Sequence, residues 1–491
     1  MENRLRRALP QLLTTVASVG LLLFLAGASG AGPGDLGGLQ RIELSPTSRA
    51  LIQNIKLTYT FDQITAVYRP AESREAEGVR RGTVFVLVKR GIYQDIKDSI
   101  DTNTKDLAQE GFTTYAYAIQ LKGDLDPLYS KVKNLKDFIR SRWLWLANEC
   151  AEGRIAPSTF DLGTGVVLVG DLPVPLVHHR TGEWSREEPE GSGNIVTGCY
   201  EGVFVCDLYL TDMDGDWSYT DPNGIPMYTT VDPQIVPPDH ELALGDQNAA
   251  KWTPCPKAGN GGARPELWIG RIDAEPVALV NGQYSRNREI ELLKEYFARN
   301  HAYRHHHFPY VGSGLSAEEC AARDRTAYFD DDFASLAIGA TNAHNKVWPG
   351  KICHNDDFLL WSDPVNRYID DGNLTRADDY LQRLCLARHL WMESAMHSNW
   401  DGHEFRIGEN TEWLPSTSLS GPRLKALFYY LQGCHTSDYR HNNNLGSIYL
   451  FPGESLAVLG NTGVGPHDTG VFYESLRLGM NLGQAQMMYQ R

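Results

Sequence analysis

A thiol and an imidazole able to share a proton are the sharpest chemical feature of this sequence. The run from Leu424 to Gly433 reads as a buried strand that stops at Gly433, so Cys434 falls in the turn after its carboxyl end. Thirty-seven residues earlier, Leu390 to Met396 leads in the same way into His397-Ser398-Asn399-Trp400-Asp401-Gly402-His403. In open α/β sheets reactive groups collect beyond the carboxyl ends of strands, and parallel neighbours lie about 4.8 Å apart, so residues just past two such ends can meet. A thiol of pKa about 8.5 is only a few per cent thiolate at neutral pH. An adjacent imidazolium stabilises the nucleophilic form and then donates its proton to a leaving amine. The competing reading makes Cys434 a half-cystine or an inert buried thiol and His397 a hydrogen-bonded core residue. His403, His435 and His441 also compete for the role of base.

A second constellation is the stretch Thr211–Asp221, which sets carboxylates at alternating positions around Gly215. Hard cations take oxygen ligands, and a turn can converge Asp212, Asp214 and Asp216, with Asp221 beyond them, on a calcium ion of structural role. The loop is not an EF-hand, because Gly215 falls at the fourth position and Asn223 at the twelfth. The competing reading is a solvated acidic turn. Adjacent histidines at His178-His179 and His305-His306-His307 diverge and receive no role. Gly460-Asn461-Thr462-Gly463-Val464-Gly465 lacks the Lys-Ser/Thr of a phosphate loop, so nucleotide binding is not supported.

Alternating strands and helices must position these groups. Thr83–Val88 and Phe112–Ile119 are strand-like runs flanking a polar helical stretch, followed by a helix over Leu135–Asn148 and strands at Val166–Asp171 and Leu267–Gly270. A long helix near Asn281–His301 closes this part. A second group comprises Phe308–Ser313, a helix near Arg376–Arg388, the runs His389–Met396 and Leu424–Leu431, Ser455–Leu459, and one helical segment from Val471 to Tyr489. Such alternation predicts an α/β fold with mostly parallel sheet. Long polar insertions at residues 180–262 and 330–373 have the length of functional or metal-ordered loops.

Composition sets the outer bounds. The 491 residues are 42% hydrophobic and carry a net charge of −15, which makes the chain globular and disfavours nucleic acid or an anionic membrane as partner. Residues 1–28 have the basic start, apolar centre and small-residue end of a secretory signal, so the chain is expected to be exported, with no membrane attachment after cleavage. Eight cysteines lie scattered without zinc-type spacing. Residues 29–80 are an N-terminal segment or short propeptide, with Arg80-Arg81 a candidate processing point.

Leu390-Trp391 through Met396-His397-Ser398, followed by Leu427-Phe428-Tyr429-Tyr430-Leu431-Gln432-Gly433-Cys434-His435-Thr436-Ser437-Asp438-Tyr439, resembles the gingipain family of cysteine peptidases in the caspase-like clan. The likeness covers about residues 80–490. It implies a caspase-like three-layer α/β/α sandwich built as two related subdomains, residues 81–300 with the Asp-rich insertion and residues 301–491 as the catalytic half. It further implies a secreted endopeptidase acting on protein or peptide substrates, with Cys434 as nucleophile, His397 as acid/base and Glu318 orienting the imidazole. The family usually has Gly after the catalytic His, where Ser398 stands here. Backbone N–H groups near Ser398 and Cys434 are then expected to bind the oxyanion. Asp331 and Asp332, in the run from Asp330, would line a pocket selecting Arg or Lys, against the plainer reading of a solvated surface. A catalytically idle exported binding protein on the same fold is the alternative.

Overall fold

The computed structural model describes residues 64–66, 81–120, 128–155, 160, 163–180, 184–187, 195–198, 201–213, 217–218, 229–230, 265–305, 313–318, 355–359, 377–386, 391–407, 410–463, 470–477 and 480–490. The expectations for residues 1–28, for Asp214, Asp216 and Asp221, and for Asp331 and Asp332 lie outside the described residues.

Among the described residues, two five-stranded, mostly parallel sheets organise the fold. The first contains β1 (Ile64–Ala66), β2 (Gly82–Lys89), β3 (Phe112–Ile119), β4 (Thr164–Val169) and β5 (Trp268–Ile272), in the order β1-β3-β2-β4-β5. Only β1 runs antiparallel to its neighbour. Side chains alternate across the sheet, so Val84, Val86 and Val88 join one core and Phe85 and Leu87 another. Helix α1 (Arg90–Gln109) and α3 (Arg286–Arg304) supply the first core, and α2 (Leu128–Ala151) supplies the second. Burial on both faces explains why β2 reads as an unbroken apolar run. Each such side chain withdrawn from water contributes about 1.5–3 kcal/mol.

The second sheet contains β6 (Ser313–Glu318), β7 (Asn355–Leu359), β8 (Trp391–Ala395), β12 (Phe428–Leu431) and β13 (Ala457–Gly460), in the order β7-β6-β8-β12-β13. Here β7 is the antiparallel strand. On one face Met392, Tyr429 and Leu431 pack with α4 (Ala377–Leu386) and α5 (Leu445–Leu450). Trp391 and Tyr430 face the other way, onto α6 (Gly470–Arg477) and α7 (Leu482–Gln490). A three-stranded antiparallel sheet, β9 (Ser398–Asn399), β10 (Gly402–Ile407) and β11 (Asn410–Pro415), grows from the end of β8.

Several element boundaries differ from the sequence expectation: the strand expected over Phe308–Ser313 is described over Ser313–Glu318, the helix expected over Leu135–Asn148 runs Leu128–Ala151, and three further differences have a local reason. The helix expected from Asn281 starts at Arg286, because Asn281 (φ 51°) and Gly282 (φ 76°) form the turn of a short hairpin, and Ser285 then caps α3 by accepting from the Arg288 N–H. The expected single C-terminal helix is two. Asn481 opens α7 with a reciprocal capping pair, accepting from the Gln484 N–H at 2.9 Å while its own N–H reaches Gln484 Oε1 at 3.0 Å. The strand expected over Leu424–Leu431 joins the ladder only from Phe428.

Contacts between the halves are specific. Arg271, its side chain 7% exposed, grips Asp207 at 2.8 Å, donates to the carbonyls of Leu172 and Pro173, and lies over the Tyr439 ring. Tyr296 of α3 donates to the Leu456 carbonyl, and Thr462 Oγ1 donates to the Val205 carbonyl.

Candidate functional site

Parallel pairing of β8 with β12 sets Ser394 opposite Leu431, and the Gln432 N–H continues the ladder to the Ser394 carbonyl at 2.8 Å. His397 and Cys434 therefore stand the same three residues beyond the last paired rung, past the carboxyl ends of adjacent strands. Side-chain packing makes the approach closer still. A Cβ built on Gly433 would lie 2.2 Å from Ser398 Oγ and 2.8 Å from the Met396 carbonyl, so only glycine fits between the two turns. The residues flanking His397 thus touch the residue preceding Cys434. His397 is exposed and Cys434 is half-buried. Among the described residues Cys150, Cys206, Cys385 and Cys434 are thiols rather than half-cystines.

The turn carrying Cys434 is braced from the far side of β12. Asn461 Nδ2 donates to the Gly433 carbonyl at 3.0 Å, and Thr436 Oγ1 donates to the carbonyls of Leu431 and Gly433. Asn461 follows β13, so the carbonyl is drawn away from β8. A planar trans peptide then turns the Cys434 N–H toward the β8 side. His435 adopts φ 54°, a left-handed conformation costing a non-glycine residue about 1–2 kcal/mol, and its N–H is held by the Gly463 carbonyl at 2.8 Å. A Cβ on Gly460 would sit 2.2 Å from Ser437 Oγ, so the glycine-rich segment after β13 is a close-packed support for this turn.

The Ser398 backbone follows from the hairpin register. The Glu404 N–H donates to the His397 carbonyl at 2.8 Å, and Ser398 pairs with His403 one rung further. In an antiparallel ladder hydrogen-bonded and non-hydrogen-bonded pairs alternate, so the Ser398 N–H points out of the hairpin along its open β9 edge.

The side chain of Ser398 heads a buried polar chain. Ser398 Oγ lies 2.7 Å from His403 Nδ1, His403 Nε2 lies 3.0 Å from the Tyr449 hydroxyl, and that hydroxyl lies 2.5 Å from the Tyr380 hydroxyl. One polarity satisfies every group: Tyr380 donates to Tyr449, Tyr449 to Nε2, Nδ1–H to Ser398, and Ser398 to the Met396 carbonyl at 3.2 Å. His403 is fully buried, and burial pushes its pKa down to about 3, so it stays neutral. His435 directs Nδ1 to the Thr462 carbonyl at 3.3 Å, and His441 stacks on Trp400 with ring centres 4.3 Å apart. The three rival histidines are thus each engaged in packing or a hydrogen bond, and His397 lies exposed at the strand end.

Glu318, expected to orient the imidazole, closes β6 opposite Ala395, at the same carboxyl edge and beside the strand that leads to His397. Its side chain lies outside the described residues. A carboxylate the sequence reading missed is Glu393 on β8, 1% exposed. Gln432 Nε2 donates to its Oε1 and the Tyr473 hydroxyl to its Oε2 at 2.5 Å, while Trp391 Nε1 donates to that hydroxyl. Glu393 thereby clamps the end of β12 onto β8 and fixes the level of Cys434. A charged residue inside the apolar run Leu390–Met396 was its only sequence signal.

Of the Asp-rich loop, Asp212 is described and is fully buried. Burial lowers the Lys136 pKa to about 8, while the attraction of Asp212 works to raise it. The Lys136 ammonium also sits 4.1 Å from the Tyr209 ring centre. Asp212 thus faces a cation supplied by α2.

The first sheet presents a different carboxyl edge. Lys89 at the end of β2 bridges Asp171 at 3.3 Å and Glu275 at 3.1 Å. Burial would lower its pKa, but Asp171, Glu289 and Glu275 outweigh that and raise it. Burial raises Asp273 to about 7 even though it accepts from the Glu275 N–H.

No helix among the described residues is long and apolar enough to cross a membrane. No protein-family model, curated protein or solved structure matches the chain.

Proposed function

We propose that the chain is an exported cysteine endopeptidase of gingipain-like type on a caspase-like fold, with Cys434 as nucleophile and His397 as general acid/base. The observation that supports this reading is the contact of Gly433 with Ser398 between the turns after β8 and β12, with His397 and Cys434 each three residues past the last paired rung. In this reading the Cys434 thiolate attacks a peptide carbonyl, and the outward N–H groups of Ser398 and Cys434 receive the oxyanion. His397 hands its proton to the leaving amine, and water then hydrolyses the thioester. Glu318 orients His397, Asp331 and Asp332 select basic side chains, and Asp214, Asp216 and Asp221 hold structural calcium, while Asp212, expected among the ligands, is instead buried facing Lys136.

Incubation with a peptide library, calcium and reductant tests this reading. Cleavage is expected, with a loss of about a thousandfold or more in Cys434→Ala. Cleavage undiminished in that variant overturns the mechanism. The alternative, an idle peptide-binding protein, is favoured by one observation: Ser398 replaces the family's glycine and is tied into the His403 chain. Peptide binding without turnover in the unaltered protein would select it.

A further inference from the structure

Away from the strand ends, α1 and α3 meet at a cluster with ligand chemistry of its own. His301 lies in the last turn of α3 and His305 caps that helix four residues on, so their rings emerge on the same face. Their centres are 4.4 Å apart. Opposite them Asp106 of α1, 4% exposed, gives one oxygen to each ring: Oδ2 to His301 Nδ1 at 2.8 Å and Oδ1 to His305 Nε2 at 2.9 Å. One ligand atom from each residue can be chosen so that all three lie within 4.8 Å of one another.

We infer that Asp106, His301 and His305 form a binding site for a divalent transition metal of the zinc class. Two imidazoles and a carboxylate are the donor set such ions take, and bonds of about 2.0 Å in a tetrahedron separate ligand atoms by about 3.3 Å. The three ligand atoms, already within 4.8 Å of one another, need only close toward that spacing to convert the present hydrogen bonds into ligation. The side chains of His301 and His305 are 44% and 33% exposed, so water reaches the fourth position. Arg304, the nearest basic residue on α3, is already paired with Glu110. The ion would pin α1 to α3, and through α3 the first sheet to the Leu456 carbonyl in the second half. This site does not depend on the Cys434 chemistry.

Zinc titration calorimetry and cobalt absorption on the intact, untagged protein test the inference. One ion per chain is expected, with tetrahedral cobalt bands. Affinity should drop at least tenfold in His301→Gln, a partly exposed position whose fold is checked by circular dichroism, and again in His305→Gln. Thermal stability should rise with zinc in the unaltered protein and not in these variants. The variant His306→Ala/His307→Ala should bind as the unaltered protein does. Absence of binding, binding unchanged in His301→Gln/His305→Gln, or loss of binding in His306→Ala/His307→Ala would each overturn the site and leave the cluster a hydrogen-bonded clamp.

Discussion

The two sheets share an arrangement and differ in chemistry. Numbering the strands of each half from β2 and from β6, both run second-first-third-fourth across the sheet, although β7 is antiparallel where its counterpart β3 is parallel. The third strand is followed by Gly170-Asp171 in the first half and by Met396-His397 in the second. The fourth is followed by Asp273 in one and by Gln432-Gly433-Cys434 in the other. At matched positions, then, the first half carries two carboxylates, of which Asp171 is paired with Lys89, and the second an imidazole and a thiol. The comparison teaches that topology makes the meeting place and side chains decide what happens there.

The largest expected contrast is functional. His397→Ala should slow reaction of Cys434 with an electrophile by about a hundredfold or more, whereas Asp171→Asn, its counterpart, should leave the rate unchanged. Equal effects would dissolve the distinction between the two edges. The buried ion pair beneath Tyr439 comes next. Arg271→Met strands Asp207 without its buried partner and should destabilise the protein by about 3–5 kcal/mol in denaturant unfolding. A loss under about 1 kcal/mol would show that the ion pair does not stabilise the first half on which the Tyr439 ring rests.

Gly433→Ala should cost about 1–3 kcal/mol, because the added methyl meets Ser398. Adding Ser398→Gly should recover part of that loss, and strict additivity of the two changes would contradict the contact. The smallest effects are pH slopes of opposite sign. His403, held down near 3 against about 6.5 unfolded, contributes stability that is complete above pH 6.5 and is withdrawn on acidification at up to about 1.4 kcal/mol per unit. Asp273, raised to about 7 from 3.8, does the reverse: the fold is favoured at low pH and loses stability as pH rises through that window. Its partial contact with water makes the same slope a ceiling. Asp273→Asn should therefore steepen the acid loss, and His403→Asn should flatten or invert it. Unchanged slopes in both variants would contradict these assignments.

Much of this arrangement was legible in the residue pattern, because parallel strands buried on both faces leave long apolar runs such as Thr83–Val88 and Phe112–Ile119. The strand ends carrying His397 and Cys434 were legible for the same reason. Local turn chemistry was readable but overlooked at Asn281-Gly282 and Asn481. The antiparallel sheet after Ser398 was missed because its signal is a short alternation, as in Phe405 and Leu414, without a continuous apolar run. Partners far apart in sequence were not legible at all. Glu393 meets Tyr473, His403 meets Tyr449, and Asp106 meets His301 only once the chain has folded. The turn spacing of His301 and His305 is visible in the sequence, but the buried Asp106 that they face is not.

The central claim is an activated thiol at the end of β12. Covalent capture by a peptide-based electrophile, followed by mapping of the modified residue, tests it most directly. Cys150, Cys206 and Cys385 serve as internal controls, with burial holding the Cys385 thiol above its usual range. The account predicts one label, on Cys434, dependent on His397 and faster at mildly acidic pH than on a cysteine model peptide. Labelling spread evenly over Cys434 and these controls, or Cys434 left unmodified while others react, would contradict it.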